Sequence, residues 1–114
     1  MRGAIQVEAD EREEVLSATA GLLIEMLSRN GIDNDDVVSV FYTVTDDITS
    51  VFPAEAGRKV GLNRASMLCA REIPVPGSMP RVVRILLHFV TDLPNDRIEH
   101  IYVGATQSLR DDIN

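Results

Sequence analysis

The sequence has 114 residues, 45% hydrophobic and 25% charged, which is the balance of a globular protein, and we expect one domain spanning residues 1–114. Eleven Lys and Arg against eighteen Asp and Glu give a net charge of −7, which argues against nucleic acid and membrane surfaces as partners because both are anionic. No apolar run approaches the roughly 20 residues of a membrane span, no export signal is apparent, and the single cysteine fits a reducing compartment, so we expect a cytoplasmic protein.

The first part of the chain predicts a strand, a long helix and a second strand. Residues 3–8 alternate in polarity as a short strand does. Asp10 and Glu13 have the spacing of a capping box, so a helix is expected to begin at Asp10 and to end at Gly31 in a left-handed conformation. Residues 37–44 are rich in β-branched and aromatic side chains, which predicts a buried second strand.

The rest of the chain predicts a short helix and three further strands. Pro53 suits the first turn of a helix over residues 54–60, and Gly61 marks its end. The further strands are expected at residues 66–72, 82–90 and 98–103. Together these elements predict an α/β (α+β) fold with a mixed sheet of about five strands and one long helix.

Arg84 is the most informative single residue, because it lies in the apolar run of the strongest predicted strand. A guanidinium stays charged and is costly to bury without a partner. Arg84 therefore requires either an internal acid, such as Glu72, or a bound anion. The residues alone leave both interpretations open.

Several other polar residues are weaker candidates. Arg2 directly precedes the first predicted strand, Arg58 lies on the short helix and Arg110 lies near the end of the chain. Taken singly, each arginine is most simply a solvated surface residue. Glu72 ends a predicted strand, where its carboxylate either accepts a substrate hydroxyl or is only an edge charge.

Nothing in the sequence predicts a metal or a cofactor. Cys69 has no histidine nearby in sequence to activate it, so an inert thiol is favoured. His88 and His100 lack the short spacing of zinc ligands. Glycine-rich phosphate motifs are missing, so neither ATP nor NAD is expected. Tyr102 is read as a half-buried core aromatic more readily than as a binding group.

Taken together, seven short motifs resemble the AroH-class chorismate mutases in order and spacing. They are Arg2-Gly3-Ala4, Val51-Phe52-Pro53-Ala54 with Arg58, Cys69 with Glu72, Arg84 in its strand, Thr91-Asp92, His100-Ile101-Tyr102 and Leu109-Arg110. The resemblance implies an enzyme of phenylalanine and tyrosine biosynthesis that rearranges chorismate to prephenate. It also implies a barrel-like homotrimer with active sites at the subunit interfaces.

The resemblance assigns the residues nearest the reacting atoms. Arg84 would contact the ether oxygen and the carboxylate of the enolpyruvyl side chain, and Glu72 would be the second catalytic group. Arg2 and Tyr102 would help to hold that side chain. Glu72 and Cys69 would bind the ring hydroxyl.

The resemblance also implies an apolar wall and a charged mouth. Three residues would line the wall: Phe52, Ala54 and Leu109. Arg58 and Arg110 would lie near the mouth and help to capture the substrate dianion. Glu55 occupies a position where some relatives carry a lysine, so one cation of the entrance is missing.

Two other functions remain as alternatives. One is a RidA-like imine deaminase, which also uses an arginine for a substrate carboxylate, although its motifs do not match this chain. The other is a small-molecule-binding regulatory domain, which would place an anion beside Arg84 without accelerating a reaction.

Overall fold

The structure, a computed structural model, describes residues 1–110. Within this range the chain forms one five-stranded sheet with the strand order β3-β2-β4-β1-β5. The elements are β1 (Arg2–Gln6), α1 (Arg12–Arg29), β2 (Val37–Val44), α2 (Ala54–Lys59), β3 (Ser66–Arg71), β4 (Val82–Phe89) and β5 (Ile101–Tyr102), with 3-10 helices at Asn34–Asp36, Asn95–Arg97 and Gly104–Arg110.

The sheet is mixed. The central strand β4 runs antiparallel to β1 and to β2. The outer pairs are parallel, β2 with β3 and β1 with β5. Parallel neighbours need a crossover connection, and α2 lies within the one between β2 and β3.

The main core lies between α1 and one face of the sheet. Leu22, Leu23 and Met26 of α1 are at most 1% exposed and belong to the same cluster as alternate residues of the central strands. Those strand residues are Val40, Tyr42, Ile85 and Leu87. Because side chains alternate along a strand, their neighbours in sequence point to the opposite face.

That opposite face of β2, β3 and β4, called the open face below, leaves large apolar side chains in solvent. Phe41 lies in register with Leu68 on β3 and with Leu86 on β4. The three side chains are 40%, 58% and 41% exposed, respectively. The open face is therefore an apolar surface that this single chain leaves uncovered.

The predicted fold class is confirmed, and β2 has the predicted bounds. Gly31 and Gly61 follow the ends of α1 and α2 with φ of 62° and 98°, as predicted for left-handed positions. The last strand is shorter than predicted, because only Ile101 and Tyr102 pair with β1. No helix within residues 1–110 has both the length and the apolar character needed to cross a membrane.

The predicted capping box is wrong. Helix α1 begins at Arg12, and its N-cap residue Glu11 makes no side-chain cap hydrogen bond. The Asp10 carboxylate instead accepts hydrogen bonds from the backbone N–H groups of Thr49 and Ser50. The Ser50 side chain, which has the largest effect, and these backbone hydrogen bonds lower the pKa of Asp10. A contact 40 residues away in sequence therefore uses the side chain that local spacing assigned to the helix.

Candidate active site

The strand register brings polar residues together on the open face. Thr43 of β2 lies opposite Arg84 of β4, and Arg84 lies opposite Ala4 of β1. Ala4 in turn lies opposite Tyr102 of β5. Residues in register on neighbouring strands share a face and lie about 5 Å apart. The sheet thus aligns a hydroxyl, a guanidinium and a phenol across four strands.

Four of the residues assigned to the site line one cavity of about 380 Å³ on this face, called the arginine cavity below. They are Arg2, Glu72, Arg84 and Tyr102. Arg2 lies opposite Leu86, two residues along β4 from Arg84, so both guanidinium groups approach from the same face. The arginine cavity therefore combines two permanent cations with one carboxylate and one phenol.

Arg84 has an internal acid as well as a cavity. Its guanidinium lies 3.6 Å from the Glu72 carboxylate, and the two side chains are 38% and 27% exposed. Glu72 also accepts a short hydrogen bond from the Thr43 hydroxyl. Although its strand is apolar, Arg84 points to the open face, so its charge is not buried in the core. The structure thus shows the internal acid of the first interpretation, and the cavity beside Arg84 leaves the bound anion of the second interpretation open.

Arg2 is anchored by more than its short strand. Its backbone N–H donates to the Nδ1 atom of His100 at 3.0 Å, and the preceding residue Met1 exchanges two backbone hydrogen bonds with Leu87. Burial, together with the nearby Arg2 charge, lowers the pKa of His100. A neutral imidazole is the form that can accept this hydrogen bond. His100 therefore holds the backbone from which the Arg2 guanidinium extends.

Tyr102 is held by Arg110. The Arg110 guanidinium donates to the Tyr102 hydroxyl at 3.2 Å, and its central carbon lies 5.6 Å from the centre of the ring. Arg110 is only 9% exposed. It lines a separate cavity of about 560 Å³, together with His100 and Arg29. In the single chain Arg110 therefore lies against Tyr102 and lines a cavity other than the arginine cavity.

Phe52 and Cys69 line a different cavity of about 530 Å³, called the phenylalanine cavity below. Phe52 is 72% exposed and Cys69 is half-buried. Cys69 and Glu72 are three residues apart at the end of β3, so they point to opposite faces. One chain therefore does not bring these two residues into the same cavity.

The remaining three assigned residues line neither the arginine cavity nor the phenylalanine cavity. Ala54 is buried in the main core at 8% exposure. Arg58 is exposed on α2, and Leu109 is half-buried in the last 3-10 helix. Burial raises the pKa of Tyr42, and the nearby Arg58 charge lowers that pKa by a smaller amount.

Sequence reasoning missed the roles of Thr43 and His100. Thr43 lies in a strand whose β-branched composition concealed a hydroxyl aimed at Glu72. For His100 the sequence indicates a place in one of the seven motifs and a disfavoured role as a metal ligand, but not the hydrogen bond that it accepts from the backbone of Arg2. Within residues 1–110 no group of three His, Cys, Asp or Glu side chains is arranged to hold a metal ion. The available signal for Thr43 was the alternation of side chains along a strand, which puts Thr43 on the same face of the sheet as Arg84.

The fold and the site define an α+β domain whose open sheet face carries a cationic cavity, the kind of site that recognises a carboxylate-bearing small molecule. Comparison with known proteins identifies the group within that class. Residues 1–113 match the family described as chorismate mutase type I, and the chain belongs to that family.

Individual relatives agree with this family. The chain is 49% identical over 114 residues to the chorismate mutase AroH of Thermus thermophilus, covering 99% of this chain and 93% of that protein. It is 35% identical over 115 residues to the chorismate mutase AroH of Bacillus subtilis, covering 100% and 91%. A solved chorismate mutase from Clostridium thermocellum superposes with a TM-score of 0.93 at 36% identity, covering 95% of this chain and 96% of that one.

Proposed function

We propose that this protein is a chorismate mutase that rearranges chorismate to prephenate, and that residues 1–114 form a single catalytic domain. Family membership supports the reaction. The observation that carries the site is the arginine cavity, where Arg2, Glu72, Arg84 and Tyr102 meet although they are distant in sequence. Two fixed cations suit a substrate that carries two carboxylates.

The proposed reaction requires little covalent chemistry from the protein. Within one molecule the ether C–O bond breaks and a new C–C bond forms, so no atom enters or leaves and no nucleophile or metal is required. Binding selects the compact conformer in which the reacting carbons lie close together, which lowers the entropic part of the barrier. In this proposal, Arg2 and Tyr102 hold the enolpyruvyl side chain in that conformer.

The electrostatic contribution comes from Arg84. As the ether bond breaks, negative charge grows on its oxygen, and a guanidinium already directed at that oxygen stabilises the transition state more than the ground state. Glu72 and Thr43 support this arrangement, because the carboxylate lies 3.6 Å from Arg84 and accepts from the Thr43 hydroxyl. Glu72 is thus proposed both to orient Arg84 and to accept the substrate hydroxyl.

The complete site is proposed to form between subunits of a homotrimer. Two observations support this assembly. The assigned residues are divided between the arginine cavity and the phenylalanine cavity, and Cys69 and Glu72 lie on opposite faces of one chain. The open face also leaves Phe41, Leu68 and Leu86 in solvent. Contact between subunits would bury this apolar row, and the site is proposed to be complete where the phenylalanine cavity of one subunit meets the arginine cavity of its neighbour.

A single assay tests the proposed reaction. Purified protein is incubated with chorismate while the loss of chorismate absorbance is followed, and the product is identified as prephenate by its acid conversion to phenylpyruvate. We expect turnover far above the spontaneous rate. Hydrolysis of an imine substrate without chorismate turnover would instead favour the deaminase, and binding of chorismate without turnover would favour a regulatory domain.

A further inference from the structure

Arg12 and Glu55 form an ion pair beside the phenylalanine cavity. Arg12 is the first residue of α1 and Glu55 lies in the first turn of α2. The Arg12 guanidinium nitrogen is 3.0 Å from a Glu55 carboxylate oxygen. Both residues line the phenylalanine cavity together with Phe52 and Cys69. The pair therefore faces the space that the proposed function assigns to one wall of the substrate site.

Glu55 depends on this partner. The Oε2 atom of Glu55 is shielded from solvent and has no hydrogen-bond donor in suitable geometry among the described residues. The contact with Arg12 is thus an ion pair without hydrogen-bond alignment. A carboxylate oxygen removed from water is costly unless a cation compensates it. Arg12 is the cation that lies within ion-pair distance.

The position of Arg12 is unfavourable for the helix itself. A cation in the first turn of a helix lies against the positive end of the helix dipole, where acidic residues are preferred. The other charged residues of this turn, Glu13 and Glu14, follow that preference. A local helix requirement therefore does not account for an arginine at residue 12, whereas the carboxylate across the cavity does.

The negative charge of the proposed substrate makes the Arg12–Glu55 ion pair relevant to binding. The chain carries a net charge of −7, so an uncompensated Glu55 on the cavity wall would add to the repulsion of an anionic ligand. We propose that Arg12 is a binding residue for a dicarboxylate substrate, since it neutralises Glu55 at the wall of the phenylalanine cavity. This inference rests on the proposed function and assigns a role to a residue outside the set implied by the family resemblance.

The test is a double-mutant cycle with Arg12→Gln, Glu55→Gln and both changes together. Glutamine keeps the side-chain length and suits a helix, so helix formation is preserved. The dissociation constant for prephenate, the dicarboxylate product that the enzyme does not consume, is measured by calorimetry at low and at high salt, and kcat and KM for chorismate are measured in parallel. Circular dichroism verifies folding, and Arg97→Ala serves as a control because this exposed arginine lines none of the cavities described above.

We expect Arg12→Gln to raise the dissociation constant and KM by about two- to fivefold, the range of one partly exposed ion pair, with kcat unchanged. The loss should shrink at high salt, because ions screen the charge of Glu55, whose side chain is 31% exposed. The double variant should regain wild-type binding. Arg97→Ala, which removes the same charge elsewhere, should bind as the wild type does.

Other outcomes would overturn the inference, and they separate it from the proposed function. Wild-type affinity in Arg12→Gln at low salt would refute a role in binding, even with normal turnover. A loss that persists in the double variant would show that Arg12 does not act by neutralising Glu55, and would refute the inference. If the wild-type protein binds chorismate without converting it, the proposed function is refuted, while the double-mutant cycle still decides the role of Arg12. If the wild-type protein does not bind chorismate, both the proposed function and the role of Arg12 are refuted.

Discussion

Arg84 combines a structural contact with a place in a cavity. Its ion pair with Glu72 at 3.6 Å joins side chains that are each partly exposed. Such a pair contributes little stability, because solvent screens it. A bound anion can therefore share the guanidinium with Glu72 at small cost. An internal acid beside Arg84 is consistent with the proposed catalytic role, because the pair lines a cavity.

Replacing Arg84 tests its proposed role. We expect Arg84→Ala to lower kcat by at least about 10²–10³-fold, as for the loss of one donor to a developing oxyanion. Stopped-flow or steady-state measurement of chorismate loss provides the value. Glu72→Gln is the companion variant, and a smaller loss is expected because the amide oxygen can still accept from Thr43 and from the substrate hydroxyl.

Two results would contradict these assignments. Near-normal turnover in Arg84→Ala would remove Arg84 from the transition state. Equal losses in Glu72→Gln and Arg84→Ala would show that the charge of Glu72, and not only its hydrogen bonding, is required.

At the scale of elements, α2 is positioned by a close contact with the sheet. Gly57 faces Tyr42, a fully buried residue of β2 whose hydroxyl donates to the Met67 sulfur on β3 at 3.4 Å. A Cβ atom at Gly57 would overlap the Tyr42 hydroxyl and lie 2.8 Å from that sulfur. Only glycine at residue 57 lets α2 approach the Tyr42 side chain this closely. Arg58 is the next residue of α2.

Gly57→Ala should therefore destabilise the fold. We expect the free energy of unfolding to fall by about 1–3 kcal/mol, the usual cost of overpacking a core. Gly21→Ala is the matched control, since a Cβ there meets nothing within 4 Å on an exposed face of α1. Gly21→Ala should raise the free energy of unfolding by about 0.5–1 kcal/mol, because alanine has a higher helix propensity than glycine. Urea unfolding monitored by circular dichroism measures the free energy of unfolding of both variants. Equal stability of Gly57→Ala and Gly21→Ala would contradict the close contact between Gly57 and Tyr42.

At the scale of the whole molecule, the open face requires a covering surface. Leu68, Phe41 and Leu86 form a continuous apolar row across three strands. Exposed apolar patches of this kind mark association surfaces. The same face carries the arginine cavity, so assembly and site formation would be one event.

The trimer proposal makes a prediction for a single substitution. Leu68→Asp should shift the protein from three times the mass of one chain to smaller species and should abolish most turnover, because a charge in an apolar interface is strongly unfavourable. Ile24→Asp is the control, since Ile24 is similarly exposed, at 55%, but lies on α1. Light scattering after size-exclusion chromatography measures the mass. A monomeric wild type with full activity would refute the proposal.

The class of fold follows from local sequence patterns, because β2, α1 and α2 are each specified by a pattern that the core then satisfies. The sequence also singled out Arg84, because a charge in an apolar strand is costly without a partner, and it offered Glu72 as one candidate partner. Family resemblance added Arg2 and Tyr102, which are weak signals when taken one at a time. These four were identifiable because each lies in or beside a regular element.

How these residues meet depends on the packing of the folded chain. Strand register aligned Thr43 with Arg84, and chain reversal brought His100 to the backbone of Arg2, 98 positions away. The contact of Asp10 with Thr49 overrode the local capping signal, and the ion pair of Arg12 with Glu55 joined two helices. Contacts between distant residues depend on how elements pack, and no local periodicity encodes that arrangement.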